Sequence, residues 1–341
     1  MRLVAAVLFV AAATAAEPPA VDEALPFYVP VNDVHGEILS AGGDSMDSLM
    51  KEWGNSFKAY YPQTSLKLDH KIKLSADGFT ELLEGRANLV PFVRELFPSE
   101  RINFEKKFGY SPLLVTIAGG SYATKGGTHA IAIYVHATNP LRRITLAQLD
   151  AIFSASRKRG GQEIKTWGQL GLTGEWADRP IHLYGMLRHR ETGNPPGIVN
   201  FLQHRMLLGG EFKDSLLEQK DSPGAVALDA IVHRVADDPS GIGFSGFANA
   251  CSKAKTLEIA ENESGPYYAG TQQEVATRHY PLSRQIYLCV NHPPSSELLP
   301  ILREFLRFTL SREGQQAIAS DREQFIPLSA ELAAAERDKL N

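Results

Sequence analysis

The chain has 341 residues, 43% of them hydrophobic and 22% charged, with a net charge of −4. That composition belongs to a globular protein long enough for two domains and excludes a disordered or fibrous chain. A mildly acidic balance without a basic stripe argues against nucleic acid as a partner. Arg2, the apolar run Leu3–Val10 and the small residues up to Ala16 form a secretory signal peptide over residues 1–16. The run is too short to span a membrane, and no later segment reaches about 20 apolar residues. The mature chain is therefore expected to be soluble and exported, and periplasmic in a Gram-negative host. Cys251 and Cys289 lie on distant segments and are expected to stay two separate buried thiols.

No internal repeat or low-complexity segment appears. Met46, Leu49, Met50, Trp53, Phe57, Tyr60 and Tyr61 recur at spacings of three and four, which predicts a helix over 46–61 stopped by Pro62. Gly42-Gly43-Asp44-Ser45 precedes it, with Asp44 or Ser45 as a competent N-cap. A glycine turn feeding a helix start also exposes unpaired N–H groups at the positive end of the dipole, a setting for an anion. Leu66–Leu74 reads as a strand, Gly78–Gly85 as a helix, and Leu89–Val93 as a buried strand end followed by Arg94. Leu113–Ala118 and Ala130–Val135 read as strands, Thr145–Phe153 as a capped helix, and Ile181–Leu187 as a strand. Gly197–Leu208 and Ala225–Val235 read as helices, Ile242–Phe244 and Ile286–Val290 as strands, and Leu298–Leu310 and Arg312–Ala319 as helices. This alternation is that of an α/β protein. The ten histidines lack metal-ligand spacing, and neither a metal nor a cofactor is expected.

Five segments in order resemble the phosphate-specific substrate-binding proteins of bacterial uptake transporters, the PstS-like family. They are Gly42–Met46 with Leu49 and Trp53; Ser75–Phe79 through Gly85 with Arg94-Glu95-Leu96; Ile131–Val135 with Asn139-Pro140 and Leu146–Phe153; Tyr280–Arg284 with Ile286–Asn291; and Phe305-Leu306, Leu310–Gln316 and Pro327-Leu328. The resemblance covers about residues 35 to 330. It implies an α/β, type II periplasmic binding protein-like fold. Two lobes, each a mixed sheet flanked by helices, would enclose a ligand cleft. The first lobe would comprise 25–128 plus 285–341 and the second 129–284. It also implies a monomer that captures inorganic phosphate or a similar anion and passes it to an ABC transporter permease.

The family holds its anion with backbone amides and hydroxyls at helix starts. Carried over, Ser45 and the amide of Met46 contact one side of the ligand, Ser75 and the turn to Gly78 supply a second helix start, and Arg94 supplies charge. Plain N-capping by the serines and a surface ion pair of Arg94 with Glu95 or another acid are the structural alternatives. The second-lobe loop departs from the pattern. The family places Arg and then Gly-Ser-Gly-Thr at the helix start, where this chain has Arg188-His189-Arg190-Glu191-Thr192-Gly193-Asn194-Pro195-Pro196-Gly197. The arginine survives as Arg190 or Arg188, and Thr192 and Asn194 are substitute donors. Pro195 and Pro196 carry no N–H, and each lost donor costs about 1–3 kcal/mol with the anion bound. Three readings follow: a phosphate receptor with a modified loop, the same fold bound to another ligand or to no phosphate, and an exported phosphomonoesterase. HExxH, G-x-S-x-G and the Walker loop are all missing from the sequence, which ranks a non-enzyme first.

Overall fold

A computed structural model describes residues 19–31, 33–125, 128–189, 194–219 and 224–341. The signal-peptide segment, Arg190 and Thr192 lie outside the described residues. In chain order the first elements are β1 (Gly36–Ala41), α1 (Asp47–Tyr60), β2 (Thr64–Asp69), α2 (Ser75–Leu83), β3 (Val90–Phe92), α3 (Pro98–Phe108) and β4 (Leu113–Gly119). Next come β5 (Ile131–His136), β6 (Arg143–Thr145), α4 (Leu146–Phe153), β7 (His182–Met186), α5 (Gly197–Arg205), β8 (Leu217–Gln219), α6 (Gly224–Asp237), β9 (Gly241–Gly246), β10 (Ala254–Thr256), β11 (Glu258–Ala260) and α7 (Gln272–Ala276). The chain finishes with β12 (Gln285–Val290), α8 (Pro300–Thr309), α9 (Arg312–Ser320), β13 (Ile326–Pro327) and α10 (Ala330–Asp338). No helix among the described residues is long and apolar enough to cross a membrane.

Two mixed sheets organise these elements. The first runs β13-β4-β12-β3 with antiparallel pairing. A parallel Ser40–Leu89 bridge attaches the parallel pair β1-β2 to it. The second runs β10-β5-β9-β7-β8, antiparallel at β10-β5-β9 and parallel at β9-β7-β8. Each has its own core. Leu49, Met50, Trp53 and Phe57 of α1 pack on Phe305 and Leu306 of α8 and Ile117 and Leu288 of the first sheet. Full burial of such side chains contributes about 1.5–3 kcal/mol each. Trp53 Nε1 also donates to Gly314 O (2.9 Å), so the indole leaves no orphaned donor. Ile133, Tyr134, Phe153, Trp167, Leu202, Ile231 and Phe244 fill the second core.

Boundaries shift where backbone geometry overrules pattern. The strand expected over 66–74 is Thr64–Asp69, followed by a turn, and α2 begins at Ser75, three residues before the expected start. Gly78 lies inside that helix for another reason. A Cβ there would fall 2.2 Å from Ala41 O, so only glycine lets α2 touch the end of β1. The N-cap expected at Asp44 or Ser45 is not formed. Gly43, left-handed at φ 66, precedes a one-turn 3-10 helix at Asp44–Met46, no side chain caps it, and Met46 occupies the cap position of α1. The helix expected to begin at Leu298 begins at Pro300, whose fixed φ suits the first turn. Both cysteines are free; Cys289 is buried, whereas Cys251 is half-buried rather than buried.

Candidate functional site

The loop after β1, the start of α2 and the end of β3 form one close-packed junction. Gly42 N donates to Ile72 O (3.1 Å) and Asp44 N to Lys73 O (3.0 Å). A Cβ on Gly43 would sit 2.6 Å from Pro91 O. Half-buried Ser45 lies in the 3-10 turn at this junction. The Met46 amide donates to Gly43 O (2.8 Å), so it is used inside the turn. Ser75 is buried, and its hydroxyl donates to Pro91 O (2.8 Å). Its proton ties α2 to β3, and what this helix start offers an anion is its first-turn amides. Gly78 N donates to Leu74 O (3.0 Å) within the helix.

Arg94 leaves β3 and turns inward, and it pairs with an acid other than Glu95, in a buried rather than a surface ion pair. Its Nη1 donates to Glu100 Oε2 (2.8 Å) and to Glu95 O (2.8 Å), and its Nη2 to Glu100 Oε1 (2.5 Å). The guanidinium lies 3.7 Å over the Phe97 ring. Glu100 also accepts from Phe97 N (2.7 Å), so one carboxylate caps α3 and clamps the arginine.

Arg94 belongs to a larger buried polar cluster that the sequence reading passed over. Arg284, just before β12, donates from Nη2 to Val93 O (3.3 Å). Its Nε lies 3.9 Å from Glu95 Oε2. Burial pushes the Glu95 carboxyl above its usual range, against the pull of Arg284 and Arg94. Burial likewise lowers Arg284, against the pull of Glu95. His129, just before β5, is buried, and desolvation with the nearby Arg284 charge lowers it to about 4, so it is neutral at pH 7. The start of α5 closes over the cluster. A Cβ on Gly197 would sit 2.6 Å from Arg284 Nη2 and 3.2 Å from Arg94 Cβ. Asn200 Nδ2 donates to Glu95 O (3.2 Å), and Thr128 Oγ1 to Val93 O (2.6 Å). The second sheet's helix α5 thus lands on groups carried by the first sheet's strands. One signal for Arg284 was present in the sequence: like Arg94, it borders an apolar run at a strand end.

On the second-sheet side, Pro196 holds the N-cap position of α5 without a capping side chain, and Asn194 is half-buried. Arg188 is bound to Glu218 Oε1 (2.7 Å) and Asp214 Oδ1 (2.7 Å). Among the described residues no group of three or more His, Cys, Asp or Glu is arranged to hold a metal. The arrangement can therefore bind and orient a small polar ligand through helix-start amides and two buried arginines.

Comparison with known proteins bears on this geometry. The model of the PBP superfamily domain matches residues 13–313. The phosphate-binding protein PstS of Pseudomonas aeruginosa is 36% identical over 335 residues, covering 97% of this chain and 96% of that protein. Among solved structures, an ABC-type phosphate transport receptor from Vibrio cholerae matches with a TM-score of 0.54 at 19% identity, over 85% of this chain and 99% of that one. PstS from Borrelia burgdorferi matches with a TM-score of 0.56 at 13% identity, over 86% and 100% respectively. At those identities the two structures speak for the fold.

Proposed function

Because the chain belongs to the PstS-like family of the PBP superfamily, we propose that it is an exported solute-binding receptor. It captures inorganic phosphate or a similar oxyanion between two lobes and delivers it to an ABC-type uptake permease. The lobes are residues 25–128 with 285–341, and 129–284. Two separately cored mixed sheets support that division. The observation that carries the reading is the meeting of the α5 start with Arg94 and Arg284, where open α/β sheets place ligands. Ser45 and the amides at the start of α2 contact the ligand from the first lobe and Arg94 supplies charge. Arg190, Thr192 and Asn194 approach from the second. The protein acts as a periplasmic monomer, after removal of residues 1–16, and binds rather than transforms its ligand. A ligand that bridges both lobes favours their closed arrangement, and a permease reads that arrangement. About 5.5 kcal/mol of differential binding moves such an equilibrium from mostly open to mostly closed.

Isothermal titration with phosphate tests the reading. Ser45→Ala and Arg94→Ala are each expected to weaken binding at least tenfold while melting shows a folded protein. Near-wild-type affinity in both removes the site assignment. Pro195-Pro196 at the second helix start favours a second reading, in which the same cleft prefers another ligand to free phosphate, since prolines cannot donate to its oxygens.

A further inference from the structure

A second arginine-rich feature is built from α8 and α10 rather than from the loops that meet α5. Arg303, Arg307 and Arg337 line one cleft of about 380 Å³. Arg307 is matched by the buried Glu304, donating from Nη1 to Oε1 (2.7 Å) and Oε2 (3.0 Å). Arg337 donates from Nη1 to Leu310 O (2.7 Å). Burial lowers its pKa against the pull of Asp338, and the charge of Arg307 lowers it further. Among the described residues, Arg303 makes no side-chain hydrogen bond or ion pair, and Asp338 and Asn341, which also line the cleft, form no ion pair with it or with Arg337. Like charges are held together here with guanidinium N–H groups left over, the donors that fit phosphate oxygens two at a time.

The same face carries apolar side chains that point outward from a fixed backbone. Residues 25–31 form a strap that reaches the cleft at Val31. Arg312 donates from its amide to Pro26 O (2.9 Å) and from Nε to Leu25 O (3.0 Å). Tyr28 is buried, with its amide donating to Glu313 Oε2 (2.9 Å) and its hydroxyl to Glu304 Oε2 (2.8 Å). Around that anchor Phe27, Val29 and Val31 stand 62%, 65% and 50% exposed, and Leu299, one helical turn before Arg303, is 58% exposed. A small soluble anion would use the arginines and leave these four side chains in water. A phospholipid surface uses both, its headgroup phosphates on the guanidinium groups and its acyl boundary on the apolar strap. The chain as a whole carries a net charge of −4, so attraction to an anionic surface has to come from a local patch such as this one.

We propose that the face formed by Arg303, Arg337 and the strap residues Phe27, Val29 and Val31 docks the protein on an anionic phospholipid membrane. The docking is separate from solute capture between the lobes and does not depend on it. Cosedimentation of the mature chain with vesicles tests it, using phosphatidylcholine alone and phosphatidylcholine with one third phosphatidylglycerol. Binding to the anionic vesicles should be at least fivefold stronger and should fall steeply with added salt. Arg303→Gln with Arg337→Gln should lose at least fivefold of it, and Val29→Ser should weaken it severalfold. Phosphate titration of these variants should match wild type. Arg303→Glu alone keeps the test open if loss of the Arg337 bond to Leu310 O unfolds the double variant, since Arg303 has no partner to lose. Equal binding to both vesicle types, no binding to either, or undiminished binding by the arginine variants overturns the proposal. So does concentration-dependent self-association without vesicles that Val29→Ser abolishes, which would assign the face to a second copy of the chain. Saturation of the cleft by inorganic phosphate with vesicles left unbound also overturns it, as the mark of a small-anion site.

Discussion

Arg284→Met should lower the unfolding free energy by about 3–5 kcal/mol, the usual cost of leaving one partner of a buried ion pair behind. The long apolar side chain keeps most of the volume, so the loss is electrostatic rather than a cavity effect. Glu95 would then sit buried with its nearest opposing charge gone, and Val93 O would lose a donor. Urea unfolding measures the effect. Adding Glu95→Gln to Arg284→Met should recover most of it, because the stranded charge is gone. A loss below about 1 kcal/mol in the single variant would show that water reaches the carboxylate and that the pair is not sealed.

Gly78→Ala should be destabilising by about 2–3 kcal/mol, at the upper end for overpacking, and should also abolish high-affinity ligand binding. The new methyl would meet Ala41 O at 2.2 Å and Ala41 C at 2.8 Å. Both are backbone atoms, so α2 must back away from β1, and with it go the amides at its start. Gly85→Ala, just beyond the same helix, is the control. It meets nothing within 4 Å but stands at φ +74, so it should cost about 1–2 kcal/mol of left-handed strain and leave binding intact. Thermal melts with ligand titrations separate the two. Equal losses of binding would show that the close contact does not position the site.

Much of the architecture was legible in local pattern. The face of α1 formed by Leu49, Met50, Trp53 and Phe57 is the buried face, and the apolar run 286–290 is β12 without its first residue. Arg94 was marked as inward-facing by the buried strand before it, but its partner was not marked. Adjacent Glu95 offered itself in sequence, whereas the chain turns through Phe97 and brings Glu100 onto the guanidinium instead. Glu95 is thereby free to face Arg284, and no local period can reveal a partner that arrives from the far end of the chain. Hydroxyl direction was equally hidden. Ser75 looks the same in sequence whether it points to a ligand or donates to Pro91 O. Gly78 reads in sequence as a helix start because turn chemistry and close approach use the same residue.

The two unpaired cysteines leave the protein with a built-in attachment point. Cys289 is sealed in the core and burial lifts its thiol far above the usual range, so its reactive thiolate is scarce at neutral pH. Cys251, half-buried just ahead of β10 and packed at the edge of the second core, is the more exposed of the two and the thiol expected to react first with a maleimide dye. The natural sequence therefore accepts a single fluorophore on one half of the molecule, and mass spectrometry of the labelled chain should show one adduct.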